Sequence, residues 1–192
     1  MGKIMTHAEI EVYLNQFFDA FIFKDIENCI AAKANYVVAL ALLTYTEYLG
    51  GLKTGNLGLS DKTPENFRAG LELFEWNGDP NYYKGFAIEI EDQGVRRQCD
   101  VYTLFRCGMV HEYLIKGESL VHNNPRVDYC IPADQGIGWH DHERHRILRF
   151  HTNAYFRDFK NAVQKYKGML RMTQTRELFS SAIERLNERK VL

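Results

Sequence analysis

Arg106 and His111 stand five positions apart in the stretch FRCGMVHEY, residues 105–113. An unperturbed imidazole titrates at about 6.5, so near neutral pH it can either accept or donate a proton. A guanidinium stays charged at any physiological pH and meets phosphate oxygens as a bidentate fork. Side by side, the two residue types offer proton transfer next to a stabilised anion.

One helix must carry both residues, and the sequence predicts it from Arg96 to about Leu114. Turned at about 100° per residue, Val101, Leu104, Phe105, Gly108 and Met109 fall in one apolar stripe. Arg106 and His111 are then about 140° apart around the axis and about 7.5 Å apart along it, on either side of that stripe. Between them on the solvent side lie Thr103, Cys107 and Val110. These are small to medium side chains that suit the close approach of a second helix. A second copy related by a two-fold axis would bring two arginines and two histidines to one cleft.

The run RCGMVH at 106–111 resembles the Arg-x4-His motif of the HEPN (higher eukaryotes and prokaryotes nucleotide-binding) family. The resemblance implies a helical domain over residues 1–192. It also implies a metal-independent endoribonuclease acting as a homodimer on RNA, in toxin–antitoxin or defence settings where an antitoxin or other protein is a partner. Arg106 and His111 are the implied catalytic residues, and no cofactor or metal is called for. Other members of the family serve as non-catalytic protein-interaction or nucleotide-binding modules, which is the second reading. The chain departs from the commoner pattern at Cys107, where the family often has Asn, Asp or His. Glu47, near the end of the second predicted helix with Tyr45 and Tyr48, is expected to line the cleft or orient His111. Arg96 and Arg97 are candidate RNA-binding residues beside it.

The elements around this helix read as a mainly α bundle with a small antiparallel β-hairpin or sheet inserted at about 118–151, before the last two helices. Val12, Leu14, Phe17, Phe18, Phe21 and Ile22 predict a first helix over about 7–24, with Thr6 and Glu9 as a capping box. Thr6 also completes a loose N-myristoylation pattern with Gly2. Asp25 is expected to cap a second, long apolar helix that stops at Gly50-Gly51. Thr63-Pro64 opens another helix with Phe67, Leu71 and Phe74 inward. The stretch YYKGFAIEIED stays ambiguous between helix and strand. Tyr155, Phe156, Phe159, Val163, Tyr166 and Leu170 mark the penultimate helix, and Leu178, Phe179, Ala182, Ile183 and Leu186 the last.

With 45% hydrophobic residues, twelve Phe and eleven Tyr, the chain can bury a core without disulfides or a structural metal. A net charge of −1 supplies no general basic field, so any nucleic-acid contact must be local. The longest apolar run, YVVALALL at 36–43, is too short for a bilayer. Four cysteines without a C-x-x-C pair fit reduced thiols, and the expected setting is cytoplasmic. His140, His142 and His145, with Asp141 and Glu143 and with Cys130 and His151 nearby, are metal-ligand types, and a metal enzyme built on them is a third reading. They lack an H-E-x-x-H or paired C-x-x-C signature and read better as a polar hairpin tip. Arg144, Arg146 and Arg149 make the same region the most basic in the chain.

Overall fold

A computed structural model describes residues 4–92, 94–112, 120–122, 135–142 and 145–189. Helix α1 (His7–Leu14) starts on the expected capping box. The Thr6 amide donates to Glu9 Oε2 at 2.7 Å, and the Glu9 amide donates to Thr6 Oγ1 at 3.2 Å. Gly2 lies outside the described residues.

The first rod does not end at residue 24. It continues through a π-helical segment (Asn15–Ile22) into α2 (Phe23–Ala31), with Asp25 inside the rod rather than capping a new one. The Phe23 amide donates to the Phe18 carbonyl five residues back, as π-helical winding requires. The buried stripe Ile10, Leu14, Phe18, Ile22, Ile26 repeats every fourth residue. In a pure α-helix such a repeat drifts by about 40° per step. The looser π winding, roughly 4.4 residues per turn, turns the drift back. The same shift leaves Val12 and Phe21, expected inward, more than half exposed.

The rod stops at a Schellman closure. Lys33 is left-handed (φ 58°), its amide donates to the Ile30 carbonyl, and the Ala34 amide donates to the Cys29 carbonyl. Helix α3 (Asn35–Thr54) then runs past Gly50-Gly51 and ends at Gly55, whose φ of 75° takes the left-handed position. Gly50 and Gly51 are not a stop because they form a contact surface. A Cβ on Gly50 would overlap the Asn66 carbonyl, and one on Gly70 would overlap the Thr46 carbonyl. Helix α4 (Thr63–Leu71) therefore crosses α3 backbone against backbone. Phe67, Leu71 and Phe74 are buried as expected.

The ambiguous stretch resolves into a hairpin, β1 (Ala87–Asp92) and β2 (Val95–Asp100), with Gly94 at positive φ in its turn. Arg96–Asp100, expected to open a helix, are thus strand. A π-helix (Tyr102–Glu112) follows. Strand β3 (Leu120–His122) pairs in parallel with β5 (His145–His151), and β4 (Ile137–His142) pairs antiparallel with β5 in the order β3-β5-β4. The insertion is therefore a mixed sheet rather than a purely antiparallel one. Helices α5 (Thr152–Met169) and α6 (Thr173–Arg189) complete the fold.

The core gathers Phe18, Leu42, Leu43, Phe67, Phe74, Phe105, Phe150, Phe159 and Phe179 from nearly every layer. The fold is mainly α with a small β insertion, as the sequence predicts. Among the described residues no helix is long and apolar enough to cross a membrane.

Candidate functional site

The site is built where α3, α4 and the π-helix meet. Asp100, at the end of β2, caps the π-helix by accepting from the Thr103 amide and the Thr103 hydroxyl, both at 3.0 Å. Arg68 of α4 holds the same carboxylate from the other side, with Nε at 3.0 Å and Nη2 at 2.9 Å from Oδ2. Burial acts to raise the Asp100 carboxyl, but these donors and the Arg68 charge hold it below the usual range. Further along, Tyr36 Oη donates to the Met109 carbonyl at 2.7 Å. Leu104, Phe105 and Met109 are wholly buried beneath the helix. Its start, its middle and its inner face are all fixed.

From this helix Arg106 reaches Glu47 on α3, with Nε 2.8 Å from Oε2. The two side chains are 14% and 20% exposed, so the pair is largely buried. Burial raises the Glu47 carboxyl above its ordinary range, and the Arg106 charge and hydrogen bond pull it back without cancelling the rise. Among the described residues Glu47 is the one hydrogen-bond partner of Arg106. Its terminal nitrogens make no hydrogen bond among the described residues.

Tyr102 lies one turn before Arg106, half-buried, with its ring centroid 5.5 Å from that of Phe67. Burial first, then a hydrogen bond and charge interaction with Cys107, push its phenol up to about 12, while Arg106 acts in the opposite direction. The phenol therefore stays protonated at neutral pH and can act as a donor.

The π winding of this helix also corrects the expected geometry. At roughly 4.4 residues per turn, residues five apart stand about 50° apart rather than 140°. Positions 106 and 111 are five apart. The motif positions therefore lie towards one side of the helix and do not straddle the core stripe. The side chains of Val110 and His111 lie outside the described residues.

The structure thus brings Arg106, Cys107 and Glu47 together, Glu47 through the arginine. Arg96 and Arg97 are exposed on β2, the strand that leads into the π-helix, and Arg96 Nη1 is 3.3 Å from Glu89 Oε1. Arg149, expected on the basic face, is 4% exposed and belongs to the interior of the sheet. The hairpin tip predicted around the histidines is where β4 passes to β5, with His142 opposite His145. Cys130, Glu143 and Arg144 lie outside the described residues, as do the side chains of His140, Asp141, His142, His145 and Arg146. Cys29 and Cys107 are free thiols.

Asp100, Arg68, Tyr36 and Tyr102 were not singled out by the sequence reading. Asp-x-x-Thr at 100–103 is a legible cap, but it was hidden by starting the helix at Arg96.

Comparison of the chain with protein-family models, with curated proteins and with solved structures finds no match in any of the three.

Proposed function

We propose that the chain is a HEPN-like, metal-independent endoribonuclease that works as a homodimer. The observation that carries this reading is the Glu47–Arg106 pair. Withdrawing two charges from water costs several kcal/mol per ion, and a well-packed apolar contact would join α3 to the π-helix at least as firmly. A largely buried guanidinium held by Nε, with its terminal nitrogens uncommitted among the described residues, suits a residue kept for use on an anion.

In this scheme Arg106 binds the scissile phosphate and the charge that builds on it in the transition state. His111 takes the proton of the ribose 2′-hydroxyl, whose oxygen attacks phosphorus, or protonates the departing 5′-oxygen. Two copies across a two-fold axis supply both roles at once. Guanidinium and imidazole meet the needs of the step, so the scheme calls for no metal or cofactor. Arg96 and Arg97 extend the surface along the RNA backbone. In a toxin-type setting, a protein partner covering the same face would silence it.

The second reading, a non-catalytic interaction module, takes support from the same ion pair, which also ties two helices together. RNA cleavage in the presence of a chelator separates the two. Wild type is expected to cleave, with Arg106→Ala and His111→Ala each reduced by at least about 100-fold. Equal rates in all three would sink the nuclease reading.

A further inference from the structure

The outer face of the first rod takes no part in the site above. Turned at about 100° per residue over His7–Leu14 and about 82° over Asn15–Ile22, it carries Ala8, Val12, Gln16, Ala20 and Phe21 within one arc of about 100°. The buried Ile10, Leu14, Phe18 and Ile22 lie on the opposite side, so the rod has its core contacts without this arc. Val12 and Phe21 are more than half exposed. Where α1 begins, Met5, Ala8, Glu9, Val12, Tyr13 and Gln16 line an open groove of about 510 Å³.

Charge narrows what such a groove can take. Residues 8–23 hold three acids, Glu9, Glu11 and Asp19, and no lysine or arginine. Glu9 borders the apolar arc on one side, and Glu11 and Asp19 border it on the other. Asp19 is held by Lys167, with Nζ 2.8 Å from Oδ2. The nearest basic group to Glu11 among the described residues is His7, at 3.9 Å. A second copy docking by the same face would set these acids against their own counterparts, and anionic headgroups of a bilayer would meet the same repulsion.

We propose that this face receives an amphipathic helix of a partner protein, its apolar stripe on Val12 and Phe21 and its lysines or arginines beside Glu9 and Glu11. The row 8, 12, 16, 20 is the i±4 ridge that a second helix packs against, and Ala8 and Ala20 let its backbone come close.

Whether or not the chain cleaves RNA, the face is tested by fluorescence anisotropy with three labelled synthetic peptides of about 18 residues, five helical turns. One carries leucines along one face and lysines elsewhere. The second has glutamate in place of every lysine, and the third is the first with its leucines scattered around the helix. The full chain is compared with a Val12→Ser, Phe21→Ser variant, which spares the core because both side chains are mostly exposed. It is also compared with a Glu9→Gln, Glu11→Gln variant, in which the side chain at position 9 can still close the capping box. The lysine peptide is expected to bind wild type at least about 10-fold more tightly than either other peptide. Its affinity should fall at least about 10-fold in the serine variant, the scale of an apolar side chain lost from an interface. In the glutamine variant the loss should be about 3- to 10-fold, the scale of surface ion pairs. Absence of binding by the lysine peptide, equal binding of the scattered peptide, or an affinity unchanged in the serine variant overturns the proposal. So does a wild-type chain that dimerises on sedimentation, or binds phosphatidylserine vesicles, and loses either property in the serine variant, since the face would then belong to a second copy or to a bilayer.

Discussion

Helix α3 has two working faces less than one turn apart, and they are built on opposite principles. At Gly50 it meets α4 with no side chain at all, the backbones so close that a single methyl group would overlap a carbonyl. At Glu47 it meets the π-helix through a charged pair that must be kept out of water. Glycine contact is an economical way to hold two helices and tolerates almost no change. A dry ion pair is a costly way to do so, and an apolar pair of similar volume would serve stability as well or better. The difference teaches that the first face is there for the fold and that the second needs a reason beyond it.

Breaking the glycine face should have the largest effect. Gly50→Ala or Gly70→Ala forces the helices apart, and the expected loss is about 3 kcal/mol or more, read by urea denaturation. Breaking the charged face on one side only should cost less. Glu47→Ala strands Arg106 in a site that is nearly dry, and the expected loss is about 2 kcal/mol. Replacing both partners, as Glu47→Leu with Arg106→Met, should return stability to within about 1 kcal/mol of wild type. A double variant as unstable as Glu47→Ala would mean that the pair holds the fold after all.

Acid sharpens the same contrast, because the two carboxyls on either side of the π-helix shift in opposite directions. Asp100, faced by Arg68 and Thr103, is lowered. Its contribution is fully present above its unfolded pKa of about 3.9 and is lost as pH falls through the lower folded value. Asp100→Asn should therefore cost about 1 kcal/mol at neutral pH and flatten the acid limb of the stability curve below about pH 4. Glu47, faced by Arg106, is raised. Its contribution is present below about pH 4.3 and is lost as pH rises through the raised folded value. The stability difference between wild type and Glu47→Gln should accordingly move against wild type as pH rises above the unfolded value of about 4.3. Thr6→Ala, at the capping box of α1, tests neither face and should show the smallest effect, about 0.5–1 kcal/mol by thermal melting.

Much of the fold was legible because hydrophobic period and caps speak locally. The capping box at Thr6 and Glu9, the Pro64 start of α4, and the buried residues Tyr155, Phe159, Val163 and Tyr166 of α5 all follow from such signals. Features set by tertiary contact were not. A lysine stands at the left-handed position 33 where a glycine would have announced the end of the rod. Gly50-Gly51 looks like a stop, but Gly50 seats α4 and Gly51 seats Leu57 of the loop before it.

The two π-helices left a trace that an α-helical reading overlooks. Apolar residues at 10, 14, 18, 22 and 26, and again at 101, 105 and 109, repeat every four residues, too slowly for 3.6. That trace matters for the candidate site. Arg106 and His111 are widely separated only on an α-helix; on the π-helix they are not. Glu47 is expected at the cleft from sequence, but its pairing with Arg106 carries no sequence signal, since the two stand 59 positions apart.

On the proposed ribonuclease reading, the Glu47–Arg106 pair is kept for chemistry rather than for the fold. The most direct measurement is RNA cleavage by the Glu47→Leu, Arg106→Met double variant beside wild type, with unfolding free energies recorded on the same samples. The expected result is a stability within about 1 kcal/mol of wild type with cleavage reduced to background. Cleavage at the wild-type rate by an equally stable double variant would contradict it.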